Sequence, residues 1–145
     1  MRKRIGILGG LAPESTAAYY NYITRKYYET HRDYAYPEIV IYSLCFQDYI
    51  GDRYDRKDEI REVIGRMAAA GADFVVAACN SIHVIYDDLK DDLPIPWVSI
   101  MDATAEEIRR RGLRRVALLG TIYTMGGDFY RKTFDRYGLE TVTPD

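Results

Sequence analysis

Stretches of β-favouring apolar residues alternate with stretches of helical period along the whole chain, and this alternation constrains the fold most. "RIGILGG" (residues 4–10) reads as a buried strand. "PESTAAYYNYITRKYYET" (13–30) reads as a helix with Pro13 at its first position and Glu14 in its first turn. "EIVIYSLC" (38–45) is a second strand. In "RKDEIREVIGRMAAAG" (56–71), Ile60, Val63, Ile64, Met67 and Ala68 recur at i, i+3, i+4, i+7 and i+8, and Gly71 supplies a C-terminal stop. "DFVVAAC" (73–79) is a third strand, and the helix after it carries Ile82, Ile85, Tyr86 and Leu89 on one face. "PIPWVSI" (94–100) reads as a fourth strand. "ATAEEIRRR" (103–111) reads as a helix with Thr104 and Glu107 spaced as a capping box and Gly112 at its end. "RVALLG" (115–120) is a fifth strand, "DFYRKTFDRYG" (128–138) a helix, and "LETVTPD" begins one more strand.

Repetition of this kind, with near-continuous apolar strands, predicts an α/β fold: a parallel sheet flanked by helices on both faces. In such sheets ligands bind beyond the carboxyl ends of the strands. Those ends are Gly9–Gly10, Cys45, Cys79–Asn80–Ser81 and Gly120–Thr121. At 145 residues, 48% apolar and 29% charged, the chain reads as globular, and no stretch approaches the roughly 18 uninterrupted apolar residues of a membrane span. The start "MRKRIGILGG" is broken by glycines where a signal peptide would have its apolar core, so it reads as a first strand of a cytoplasmic protein. A net charge of −2 with interspersed signs gives no electrostatic case for nucleic acid. The basic cluster Arg109, Arg110, Arg111, Arg114 and Arg115 sits at a helix end, where cations suit the dipole. Two cysteines do not suggest a disulfide framework. Tyr19, Tyr20, Tyr22, Tyr27 and Tyr28 cover more than one face of the first helix, which suits either packing within the chain or a second subunit.

Gly6, Gly9 and Gly10 form neither a dinucleotide-binding nor a P-loop pattern. They suit either a tight strand-to-helix turn or exposed backbone N–H groups that hold a small carboxylate. Cys79 ends a strand just before a helix, a position that favours thiolate over thiol, and Asn80 and Ser81 add donors directly behind it. Core filler and chemistry remain equally open for that thiol. His83 could share a face with Cys79, but covering the helix surface is the favoured reading. Cys45 reads as filler, since Phe46 follows it. Thr121 and Thr124 either bind a carboxylate or cap a helix starting near Gly126. There is no His/Cys/Asp cluster with metal spacing.

Taken together, these tips resemble the aspartate/glutamate racemase superfamily, nearest its aspartate racemase-like branch. "IGILGGLAPEST" resembles the family's opening strand and glycine turn, and "ACNSIH" its Cys-Asn-Thr-x-His motif, with Ser81 in place of Thr. "IMDATAEEI" and "RVALLGTIYTMGGDFY" resemble its mid-chain segments in order. The resemblance implies two similar α/β lobes and an amino-acid racemase that works without a cofactor. Its two acid/bases flank the substrate α-carbon. Cys79 matches the first. Asn80 and Ser81 would hold the α-carboxylate, and Leu11, Thr121 and Thr124 match substrate-contacting positions. Arg53 falls in the loop after the second strand, where it would pair a second carboxylate of aspartate or glutamate, or else is a solvated loop charge. The family also favours a homodimer.

The family's second acid/base lies in a Gly-Cys-Thr motif that this sequence does not contain. The expected organisation is a first lobe over residues 1–100 and an incomplete second lobe over 101–145, as in a fragment of a longer enzyme. Little or no inversion is expected of the 145 residues alone. The alternatives are a related hydantoin racemase or maleate isomerase type, a non-catalytic fragment that binds a small carboxylate, and an α/β domain with no ligand.

Overall fold

The structure, a computed structural model, describes residues 2–50 and 56–144. Strands β1 (Ile5–Gly9), β2 (Ile39–Ser43), β3 (Phe74–Ala77) and β4 (Trp97–Val98) form one parallel sheet in the order β2-β1-β3-β4. Ile5 stands opposite both Ile39 and Phe74, and Val75 opposite Trp97. The central strand β1 is covered on both sides, so its residues are apolar without alternation, and Ile7 and Leu8 are fully buried.

One face of this sheet packs on helix α2 (Lys57–Ala69), which buries Ile60, Val63, Ile64 and Met67 against Leu8, Val75 and Ala77. The i, i+3, i+4, i+7 pattern is thus a core stripe. The other face carries helix α1 (Pro13–His31), whose only fully buried residue is Thr16. Cover on that side is partial: Ile41 of β2 and Val98 of β4 are each 45% exposed. Tyr20, Tyr22 and Tyr28 are exposed as well, Tyr28 stacked on Tyr34, and Tyr27 stacks on His31.

The later strands do not extend this sheet. β5 (Arg115–Ala117) and β6 (Glu140–Val142) pair with each other, parallel, in a separate two-stranded sheet. Helices α4 (Ile100–Arg110) and α6 (Phe129–Arg136) pack on it around Met101, Ala105, Phe129, Tyr130, Phe134 and Leu139. Tyr86 touches this second cluster and the first.

Three elements depart from expectation. The fourth strand is only Trp97–Val98, because Pro94 and Pro96 have no N–H for a ladder. Helix α4 starts at Ile100, four residues before Thr104, the first residue of its apparent capping box. Ser99 is the N-cap, its Oγ accepting from the Asp102 N–H at 3.0 Å, while Thr104 donates from mid-helix to the Ile100 carbonyl. Glu107 instead accepts from Arg110 and Arg111, and those guanidinium groups hold its carboxyl down at about 2. Finally, the segment after Cys79 is a 3-10 turn, Ser81–Ile85, followed by one short helix, α3 (Tyr86–Leu89).

Candidate active site

Each sheet contributes strand ends to one open pocket of about 310 Å3. Leu11 and Ala12 enter it from the turn after β1, and Ser15 and Tyr19 from the first turns of α1. Ala78, Cys79, Asn80 and Ser81 follow β3, and Gly120, Thr121 and Thr124 follow β5. Phe46 and Ile100 complete the wall. Leu11, Cys79, Asn80, Ser81, Thr121 and Thr124, all candidates from the sequence, therefore share a single cavity. Arg53 lies outside the described residues. Cys45 is exposed and is not among the pocket's lining residues. A larger surface groove, about 550 Å3 between α1 and the start of β2, holds no thiol and no carboxyl end of a strand.

In the strand-to-helix turn after β1, the Gly10 N–H is engaged within the chain. Gly10 has φ +86°, and a Cβ there would collide with the backbone of Leu44. Its N–H, a candidate for holding a carboxylate, donates instead to the Thr16 hydroxyl at 3.0 Å in a buried contact. Thr16 in turn donates to the Ala12 carbonyl at 3.1 Å, so the turn is closed on itself.

Polar donors lie on the opposite side of the pocket. Ser81 is buried, and its Oγ stands 3.4 Å from Thr121 Oγ1, which stands 3.3 Å from Thr124 Oγ1. Thr121 also accepts from the Thr124 N–H, capping the short helix α5 (Ile122–Gly126). Of the two sequence readings of Thr121, the cap is present, for a helix starting at Ile122 rather than Gly126, and the same residue lines the cavity. This hydroxyl row spans the two sheets.

His83 is not a surface residue. It is 1% exposed, beneath the turn that follows Cys79. Its Nδ1 is 2.9 Å from the Cys79 carbonyl, and its Nε2 accepts from the Ile100 N–H at 3.3 Å. A carbonyl only accepts, so Nδ1 carries the proton and the ring is neutral. Burial drives its pKa down to about 4, against smaller upward pulls from the Cys79 and Asn80 backbone and from Asp102. The ring ties the Cys79 backbone to the start of α4. It packs 5.1 Å from Trp97, centroid to centroid.

Two phenols stand near the thiol. Tyr19 has its pKa raised, first by burial and then by the Cys79 charge. Tyr130 is pushed up to about 12 by burial, with smaller contributions from Tyr19 and Cys79. Both therefore stay protonated at neutral pH. The Tyr130 hydroxyl donates to Asn80 Oδ1 at 2.5 Å. Neither phenol is legible as a site residue in the sequence: Tyr19 is one of five tyrosines on a helix, and Tyr130 lies 50 residues from its partner. Among the described residues, no group of three or more His, Cys, Asp or Glu side chains is arranged to hold a metal ion.

Comparison with known proteins fits this layout. The family model for Asp/Glu/hydantoin racemases matches residues 8–145. The broad specificity amino-acid racemase RacX of Bacillus subtilis (strain 168) is 30% identical over 97% of this chain and 64% of its own. The crystal structure of an aspartate racemase homologue from Pyrococcus horikoshii OT3 superimposes with a TM-score of 0.87 at 42% identity, covering 99% of this chain and 65% of that one. Glutamate racemase from Aquifex pyrophilus shares the fold, with a TM-score of 0.71 at 19% identity over 97% of this chain and 54% of that one. The present chain thus spans just under two thirds of the length of RacX and of the Pyrococcus protein.

Proposed function

Because the chain belongs to the Asp/Glu/hydantoin racemase family, we propose that it serves amino-acid racemisation, with Cys79 as one acid/base at the substrate α-carbon. The observation that carries this reading is the cavity that gathers the Cys79 thiol, the Asn80 amide and the Ser81, Thr121 and Thr124 hydroxyls.

The chemistry needs two things of such a site. A thiolate at Cys79 takes the α-proton, which leaves the bonding electron pair on the α-carbon and, by resonance, on the α-carboxylate. Donors fixed around that carboxylate then stabilise the added charge, and they act most strongly where water is excluded. The Asn80 amide and the hydroxyl row supply donors of this kind, and preorganisation is supported by their anchoring: Thr121 is held as a cap, and Asn80 by Tyr130. Proton removal and return of this sort need no cofactor. Arg53 would select aspartate or glutamate by pairing the second carboxylate.

Inversion also needs a proton delivered to the opposite face. The two cysteines of the sequence are Cys45 and Cys79, and Cys45 does not line the cavity. The 145-residue chain is therefore expected to exchange the α-proton faster than it inverts the centre, with little or no net racemisation. The test is incubation of L-aspartate and L-glutamate in D2O, with the α-proton followed by NMR and the enantiomers by chiral chromatography. Cys79-dependent exchange with slow inversion is expected. Exchange no faster than in Cys79→Ala refutes the acid/base assignment, and rapid inversion refutes the single-base reading.

The position of Cys45 also favours a second reading, in which this chain binds a small carboxylate without turnover. Calorimetry with aspartate, glutamate and simple dicarboxylates separates the two: binding with no exchange to lose in Cys79→Ala supports the second.

A further inference from the structure

We propose that Tyr130 is a positioning residue that locks the Asn80 side chain with its amide N–H2 turned toward the pocket, so that the carboxylate-holding donor is set by a residue of the other sheet's core. This rests on the reading of the pocket as a carboxylate site.

Asn80 is exposed at the end of β3. An exposed asparagine samples several rotamers, and either edge of its amide can face a ligand. Tyr130 removes that freedom. It is only 4% exposed, on α6, with its ring centroid 5.3 Å from Phe129 and 5.4 Å from Phe134 in an edge-on contact. Packed this way, the ring cannot swing its hydroxyl elsewhere without opening the second core. A buried phenol O–H needs an acceptor, and the one it has is Asn80 Oδ1 at 2.5 Å. With the oxygen edge committed to Tyr130, the amide hydrogens are the edge left for the pocket. A flipped amide would set N–H2 against the phenol and deprive its proton of that acceptor. Burial keeps the phenol protonated, so the donor persists at neutral pH.

The bond crosses between the two parts of the fold, since Tyr130 belongs to the cluster around Met101 and Phe134 while Asn80 follows β3. Docking of the β5–β6 unit therefore orients a donor as well as supplying Thr121 and Thr124.

Tyr130→Phe removes one hydroxyl and keeps the ring. The test on the 145-residue chain follows the Asn80 side-chain amide by 15N NMR relaxation and titrates L-aspartate by calorimetry, in wild type, Tyr130→Phe, Asn80→Ala and the double variant. In wild type the amide is rigid on the picosecond–nanosecond timescale. In Tyr130→Phe it becomes mobile and aspartate affinity falls about five- to tenfold, the size of one hydrogen bond. The double variant binds no more weakly than Asn80→Ala, because Tyr130 acts through Asn80. A rigid amide in Tyr130→Phe overturns the proposal, as does a mobile amide with unchanged affinity or additive losses in the double variant. If wild type shows the rigid amide but binds neither L-aspartate nor L-glutamate, the carboxylate reading is what fails, and the positioning role falls with it. Should Tyr130→Phe not fold, the wild-type spectrum still decides: a freely mobile Asn80 amide refutes the lock.

Discussion

Replacing His83 tests whether the turn beneath Cys79 is held by a neutral imidazole. The ring is almost fully buried between the Cys79 carbonyl and the Ile100 N–H, and its native pKa, about 4, lies well below the ordinary 6.5. The native state therefore holds the neutral form, while the unfolded chain takes up a proton as pH falls through 6.5. The stabilisation is complete above 6.5 and is lost progressively down to about 4. At 1.36 kcal/mol per pH unit the full loss is about 3 kcal/mol, of which about 2 kcal/mol is gone by pH 5. Urea unfolding read by the fluorescence of Trp97, the single tryptophan, measures it directly. His83→Asn keeps a donor near the Nδ1 position and cannot titrate. It is expected to cost about 1–3 kcal/mol at pH 7, since the Ile100 N–H loses its acceptor. The gap between wild type and variant should then shrink by about 2 kcal/mol at pH 5. His31, the other histidine, is common to both proteins and cancels. A gap that stays constant within about 0.5 kcal/mol from pH 7 to pH 5, well below the linked loss, refutes the buried neutral histidine.

Three further outcomes are expected. Gly10→Ala forces a left-handed backbone and a collision with Leu44, so it should lower the unfolding free energy by at least about 2 kcal/mol, measured by urea or thermal melting. Thr121→Ala removes the cap of α5 and the hydroxyl that links Ser81 to Thr124, costing about 1 kcal/mol of stability and weakening aspartate binding by calorimetry. L-Aspartate should slow alkylation of Cys79 by iodoacetamide while leaving exposed Cys45 unprotected, as read by peptide mass spectrometry.

Much of the fold is legible in the sequence because its signals are local. The stripe of Ile60, Val63, Ile64 and Met67 lies within one helix, and the apolar run before Cys79 lies within one strand. Parallel order follows from their alternation. What misleads is also local: Thr104 and Glu107 have the spacing of a capping box, but Ser99 starts the helix. Likewise the i, i+4 spacing of Cys79 and His83 suggests a shared helical face, whereas the chain forms a 3-10 turn that carries the ring inside.

The sequence alone determined that parallel strands would end on a glycine turn, a thiol with donors behind it, and a threonine-rich segment. Strand ends follow from where apolar runs stop, and that is written in neighbouring residues. Only the tertiary structure decided how those ends are used. The later strands form a second sheet, yet Thr121 still reaches Ser81 across 40 residues of chain and Tyr130 reaches Asn80 across 50. The Gly10 N–H is spent on Thr16, and His83 is buried and neutral. Contacts of this range depend on which surfaces pack together, and side-chain periodicity along one segment carries no information about them.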